Sequence, residues 1–198
     1  AAEVEMQYRP LGDTGLKVSE VAFGSYGFDN PDLLLAALDS GINTVCTSGS
    51  YQGGRAERSI GEAIETIGDR RDQLVLFTGG DFRPGATKQS VLDSIDSSLR
   101  RLRTDHVEIF RTSGVGSTDA LRVDGLFEAF DEAKKAGKVG HLALSGHHGG
   151  MQEVLNAAID DGRFGVLFTK YDFATYPAQD AILHRAAERG IGTLVFKT

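Results

Sequence analysis

The stretch LVLFTGGDFRPGATKQSVLDSIDSSLRRLRTDHVEIFRT, from Leu74 to Thr112, decides the fold class. It opens with a short apolar run, Leu74–Thr78, of strand length and composition. From Thr87 onward, Val91, Ile95, Leu99 and Leu102 recur at helical spacing and line one face. A second apolar run, Val107–Phe110, follows. Strand, helix, strand is the unit of a parallel sheet covered by helices.

The same unit repeats in both directions. Upstream lie strand-like runs at Val21–Gly24 and Ile42–Cys46; downstream lie His141–Leu144, Val166–Thr169 and Thr193–Phe196. A helix is expected from Pro31 to about Ser40, with Asn30 as N-cap, Pro31 in the first turn and Gly41 at the stop. Further helices carry Ile60, Ala63, Ile64 and Ile67, then Leu126, Phe127, Phe130 and Ala133, then Val154, Leu155, Ala158 and Ile159, then Ile182 and Ala186. Most end on a glycine, as regular αβ loops do. Seven such strands at this spacing fit most of a (β/α)8 barrel better than a small doubly wound sheet. Residues 6–19 precede the first of them and read as a β-hairpin turning at Gly12-Asp13-Thr14-Gly15, placed to close one end of the barrel. No linker divides the chain, so residues 1–198 are expected to form one domain.

Composition narrows the function. The net charge of -7, with no basic run, disfavours nucleic-acid or anionic-membrane binding. No apolar stretch approaches a membrane span. Cys46 is the sole cysteine, which rules out an internal disulfide and a four-cysteine metal site. The start Ala1-Ala2-Glu3 is compatible with a removed export signal or a tag remnant; the expected compartment is the cytoplasm.

Several motifs then carry a family resemblance. They are Tyr8-Arg9-Pro10-Leu11-Gly12-Asp13-Thr14-Gly15-Leu16-Lys17-Val18-Ser19; Gly41-Ile42-Asn43 with Ser50-Tyr51-Gln52-Gly53-Gly54-Arg55-Ala56-Glu57; Ser98-Leu99-Arg100-Arg101-Leu102; Gly137-Lys138-Val139 with Ser145-Gly146-His147; and Gly190-Ile191-Gly192. In this order they resemble the aldo-keto reductases, NADP-dependent oxidoreductases built on a (β/α)8 barrel. The resemblance implies nominal NADPH-dependent carbonyl reduction. The family uses a Tyr as proton donor, an Asp and a Lys that tune its acidity, and a His that orients the substrate carbonyl. Tyr51 matches the Tyr, while Cys46, Gly79 and Ser113 stand at the Asp, Lys and His positions. Three of the four are thus replaced. At the nicotinamide positions the resemblance places Ser145, Gly146, Phe168 and Phe196, with Phe168 in place of a Gln. The family's adenosine and phosphate contacts lie largely beyond the last matched strand. This chain is therefore expected to hold NADP weakly or not at all. The eighth barrel unit falls outside the sequence, so a homo-oligomer or a further C-terminal segment is expected to complete the barrel.

Other residues keep alternatives open. Cys46 reads as a nucleophile or as inert packing. Ser113 would need a base, and His147 and His148 follow a different strand. Those adjacent histidines point apart with no third ligand evident, so no metal site is expected. By strand alternation Arg111 and Lys170 point into the barrel near its C-terminal end. They would bind an anionic small-molecule substrate, or Lys170 would form a Schiff base, or both would pair with Asp81 and Asp172. The glycine pairs Gly53-Gly54 and Gly149-Gly150 read as loop turns. The family oxidoreductase stands beside two other readings: a repurposed lyase or isomerase using Tyr51 with Arg111 or Lys170, and a non-catalytic binding barrel.

Overall fold

The computed structural model describes residues 5–112, 117–146, 150–174 and 176–197. Strands β1 (Tyr8–Pro10) and β2 (Lys17–Ser19) pair antiparallel as the expected hairpin. Then follow β3 (Phe23–Gly24), α1 (Pro31–Asp39), β4 (Thr44–Cys46), α2 (Arg55–Ile67), β5 (Val75–Gly80), α3 (Lys88–Leu102), β6 (Val107–Thr112), α4 (Asp124–Lys135), β7 (Val139–Gly146), α5 (Met151–Asp161), β8 (Val166–Lys170), α6 (Ala178–Glu188) and β9 (Gly192–Phe196). Strands β3 to β9 form one parallel sheet in which spatial order equals sequence order. Sequential order with a helix after most strands is the wall of a barrel rather than a doubly wound sheet, in which the order reverses. Among the described residues no pairing joins β3 to β9.

The local chemistry explains the elements. Asn30 caps α1 by accepting the Asp32 N–H, with Pro31 in the first turn. Thr87 caps α3 in the same way through the Ser90 N–H. That helix ends on Arg103 in the left-handed conformation, without the glycine that most of the others use, so nothing in its composition announces the stop. Strands β5 and β6 run on to Gly80 and Thr112, past their apolar runs. The ladder continues through Thr78–Phe110, Gly79–Arg111 and Gly80–Thr112 because backbone pairing does not require apolar side chains.

The curl of the sheet separates two cores. The larger lies between sheet and helices and includes Leu76, Ile95, Leu102, Phe110, Leu142 and Leu155. The smaller lies on the concave face: Cys46, Val75, Phe77, Ile109, Ala143 and Val166 from alternate strand positions, together with Leu11 and Val18 of the hairpin. The hairpin thus plugs the N-terminal end. It is held there by the Asp13 N–H donating to the Gly190 carbonyl at 2.7 Å. Its approach is so close that a Cβ on Gly12 would stand 2.3 Å from the Gly190 oxygen.

At the opposite end, one buried charge organises the loops. Glu57 on α2 is fully buried; it accepts from the Thr78 hydroxyl at 2.5 Å and from Arg101 Nε at 2.6 Å. Removing one partner from a buried pair leaves the other uncompensated, at a cost of roughly 3–5 kcal/mol. Glu57→Ala is therefore expected to lower unfolding free energy by about that amount, read by urea denaturation, with Glu57→Gln losing less because the hydrogen bonds survive in part.

Candidate active site at the barrel mouth

A cavity of about 650 Å³ opens at the C-terminal ends of the strands, the end where barrel enzymes work. The loop after β4 brings Tyr51 to it. That loop stays tied to β5 through Thr47 N–H to Phe77 O at 2.7 Å, Gly49 N–H to Gly79 O at 3.0 Å, and the Ser48 hydroxyl to the same oxygen. Tyr51 then opens a short turn in which Gln52, Gly53 and Gly54 all have positive φ. The Tyr51 ring packs edge-on against Tyr26, centroids 5.3 Å apart.

Arg111 stands beneath it. Strand alternation puts it on the concave face above Ile109, and it is only 4% exposed. One guanidinium nitrogen lies 3.5 Å from the Tyr51 hydroxyl and 3.4 Å from the Thr47 carbonyl, and the guanidinium sits 5.9 Å from both the Tyr51 and Phe77 rings. Among the described residues its Nε has no hydrogen-bond partner. Gly79, its neighbour across the ladder, has no room for a side chain: a Cβ there would lie 2.0 Å from the Arg111 carbonyl oxygen and 2.6 Å from its Cγ.

Cys46 lines the cavity from β4. Burial pushes its thiol up to about 12, against the opposing pull of the Arg111 charge. The sulfur is thus a protonated thiol at neutral pH, which favours packing over nucleophilic attack. Ser145 on β7 is buried and lines the same space with Gly146, Phe168 and Phe196. The Phe168 ring meets Phe77 edge-on at 4.9 Å and Phe196 tilted at 4.6 Å, making an apolar wall. Ser113, His147 and His148 lie outside the described residues. Among the described residues no group of three histidines, cysteines or carboxylates could hold a metal ion.

Lys170 does not join the site. Its Nζ pairs with Asp172 at 2.7 Å, and it is not among the residues lining the cavity. Of the roles the sequence left open for it, the ion pair with Asp172 is the one formed. The cavity also uses Ser25, Tyr26, Thr47, Ser50, Asp81 and Lys197, which sequence reasoning did not select as site residues. All but Asp81 and Lys197 lie on the loops just after β3 and β4. Their only sequence signal is that position.

Residues 29–198 match the model of the Aldo/keto reductase family. The oxidoreductase YrpG of Bacillus subtilis (strain 168), itself described as uncharacterized, is 28% identical over 216 residues, covering 96% of this chain and 66% of YrpG. The aldo-keto reductase YhdN of the same organism is 24% identical, covering 96% of this chain and 61% of YhdN. The chain therefore spans less than two thirds of the length of these curated relatives. The solved holo form of aldo-keto reductase AKR11C1 from Bacillus halodurans superposes with a TM-score of 0.80 at 26% identity, covering 96% of this chain and 65% of that one.

Two outcomes follow from the geometry. Gly79→Ala should destabilise the fold by roughly 1–3 kcal/mol or more, since the clash is with backbone; thermal unfolding reads it. The raised Cys46 value makes the folded state keep a proton that the unfolded chain loses above about pH 8.5. Stability from this group is whole below that pH and falls toward pH 12, by roughly 1.4 kcal/mol per unit. Unfolding midpoints from pH 8 to 10.5 should thus fall more steeply in the wild type than in Cys46→Ala.

Proposed function

Because the chain belongs to the aldo/keto reductase family, we propose that its barrel mouth binds a carbonyl compound and polarises it through Tyr51, as a repurposed family site without a tightly held nicotinamide. The observation that carries this reading is the Arg111 guanidinium set against the Tyr51 hydroxyl in a cavity large enough for a small organic molecule. A guanidinium only donates. Its nearness turns the Tyr51 oxygen lone pairs toward Arg111 and leaves the phenolic proton for the cavity. A substrate carbonyl oxygen facing Tyr51 would accept that proton as a hydrogen bond, and the cation behind favours negative charge developing on the oxygen.

The family generally uses NADP(H), which supplies hydride when bound. A nicotinamide amide has two N–H donors and one carbonyl acceptor to satisfy. The side chains at the matching positions offer one hydroxyl, from Ser145; Gly146 and Phe168 offer none. The backbones of Gly146 and Phe168 are engaged in strand pairing with β8 and β7. This donor set does not fit the group. The reading that remains is carbonyl binding with proton transfer at Tyr51, the chemistry of an isomerase or lyase. Lys170 takes no part, since its ammonium is paired with Asp172 outside the cavity.

Titration with NADPH, followed by its fluorescence, should give a Kd weaker than about 100 µM, well short of the ~8 kcal/mol of a micromolar site. Micromolar binding would overturn the cofactor half of the reading. A neutral ketone probe, acetophenone, should bind in the same cavity and lose about tenfold in affinity in Tyr51→Phe, the worth of one hydrogen bond near 1.4 kcal/mol. Equal affinity in wild type and variant would overturn the role of Tyr51.

A further inference from the structure

The chain treats its arginines unequally. Arg71 is 8% exposed and is held by the Glu108 carboxylate at 3.1 Å. Arg101 is held by Glu57 at 2.6 Å. Arg111 is the most buried of the three, and among the described residues no carboxylate lies within ion-pair distance of it. Among the described residues its Nε has no partner, and its contacts to oxygen, at 3.4 and 3.5 Å, come from one nitrogen. Taking a cation out of water costs several kcal/mol unless an anion compensates it. The neighbouring thiol of Cys46 is protonated and cannot do so.

The surroundings suit an anionic ligand. Ser25 and Thr47 line the same cavity, and among the described residues their buried hydroxyls have no hydrogen-bond partner. Each can donate to an oxyanion. Phe168 and Phe196 wall the cavity with apolar surface. Lys197 lines it as a second, more exposed cation, and Asp81 lines it as a carboxylate beyond ion-pair distance of Arg111. A planar carboxylate matches the fork of a guanidinium, and a monoanion matches the Arg111 charge.

We propose that the barrel mouth is a binding site for a small organic acid whose carboxylate is held by Arg111, with the hydroxyls of Ser25 and Thr47 as further donors and the organic body against Phe168 and Phe196. The inference concerns the same cavity as the carbonyl reading but rests on a different observation, the unpaired buried charge. It makes the ligand class acidic, whether or not a carbonyl is also present.

Calorimetric titration of the full chain separates the two. The probes are benzoate, its neutral isostere benzamide, acetophenone and inorganic phosphate, and the variants are Arg111→Met and Arg111→Lys, with folding checked by circular dichroism. Benzoate should bind at least tenfold tighter than benzamide. Arg111→Met should abolish that preference, and Arg111→Lys, which keeps the charge but loses the fork, should retain part of it. Equal binding of benzoate and benzamide by the wild type, or a full preference surviving in a folded Arg111→Met, would overturn the proposal. If Arg111→Met does not fold, a full preference in Arg111→Lys would overturn the bidentate geometry and partial loss would support it. Phosphate binding tighter than benzoate would overturn the carboxylate assignment. Acetophenone binding without benzoate binding sinks this inference alone; benzoate binding without acetophenone binding sinks the carbonyl reading alone.

Discussion

The carboxylate of Glu57 is the contact on which the barrel mouth depends. It is fully buried on α2 and reaches both the sheet, through Thr78, and the next helix, through Arg101. Arg101 in turn fills the space under the Tyr51 turn: a Cβ on Gly54 would stand 2.7 Å from its Cδ, and one on Gly49 would stand 3.0 Å from its terminal nitrogen. One ion pair therefore clamps sheet, two helices and the loop that carries Tyr51. A charge this buried contributes little net stability by itself. What it does is penalise every arrangement that separates the partners, so the loop has one position. The glycines follow from that contact, since bulkier residues would push the arginine off the carboxylate.

The fold was legible because its signals are local and repeated. Apolar residues at helical spacing, Asn30 and Thr87 as caps, and glycines at helix stops all act over a few residues. The hairpin's place was legible only as a possibility, because its packing rests on contacts between residues far apart, such as Asp13 with Gly190. Strand ends were short in the sequence reading for a physical reason. Hydrophobicity marks where a strand is buried, and pairing runs further, as at Gly79 and Arg111. The end of α3 at Arg103 was invisible because that left-handed turn uses a residue with no preference for it.

The site was half legible. Alternation along β6 put Arg111 on the concave face correctly, because a mid-strand position fixes a direction. At Lys170, the last residue of β8, alternation left several roles open, and pairing with Asp172 is the one the structure forms. Ser25, Thr47 and Lys197 were missed since loop residues have no periodicity to read. Glu57 and Arg101 were quoted as family motif residues, yet nothing in their surroundings by sequence shows that they face each other across 44 positions.

Gly79 and Arg111 shape the mouth together. They face each other across one rung of the ladder, and the bare backbone of the one gives the other its room. An arginine is long and its charge lies far from its Cα, so a residue rooted on β6 can deliver a cation to the Tyr51 hydroxyl beside the end of β5. Any side chain at the Gly79 position would collide with Arg111. The Arg111 guanidinium comes within 3.5 Å of the tyrosine oxygen. A lysine offers a point charge, while a guanidinium offers a planar fork with donors to spare after one reaches Tyr51. Under the readings proposed above, those unspent donors are what an acidic ligand would meet.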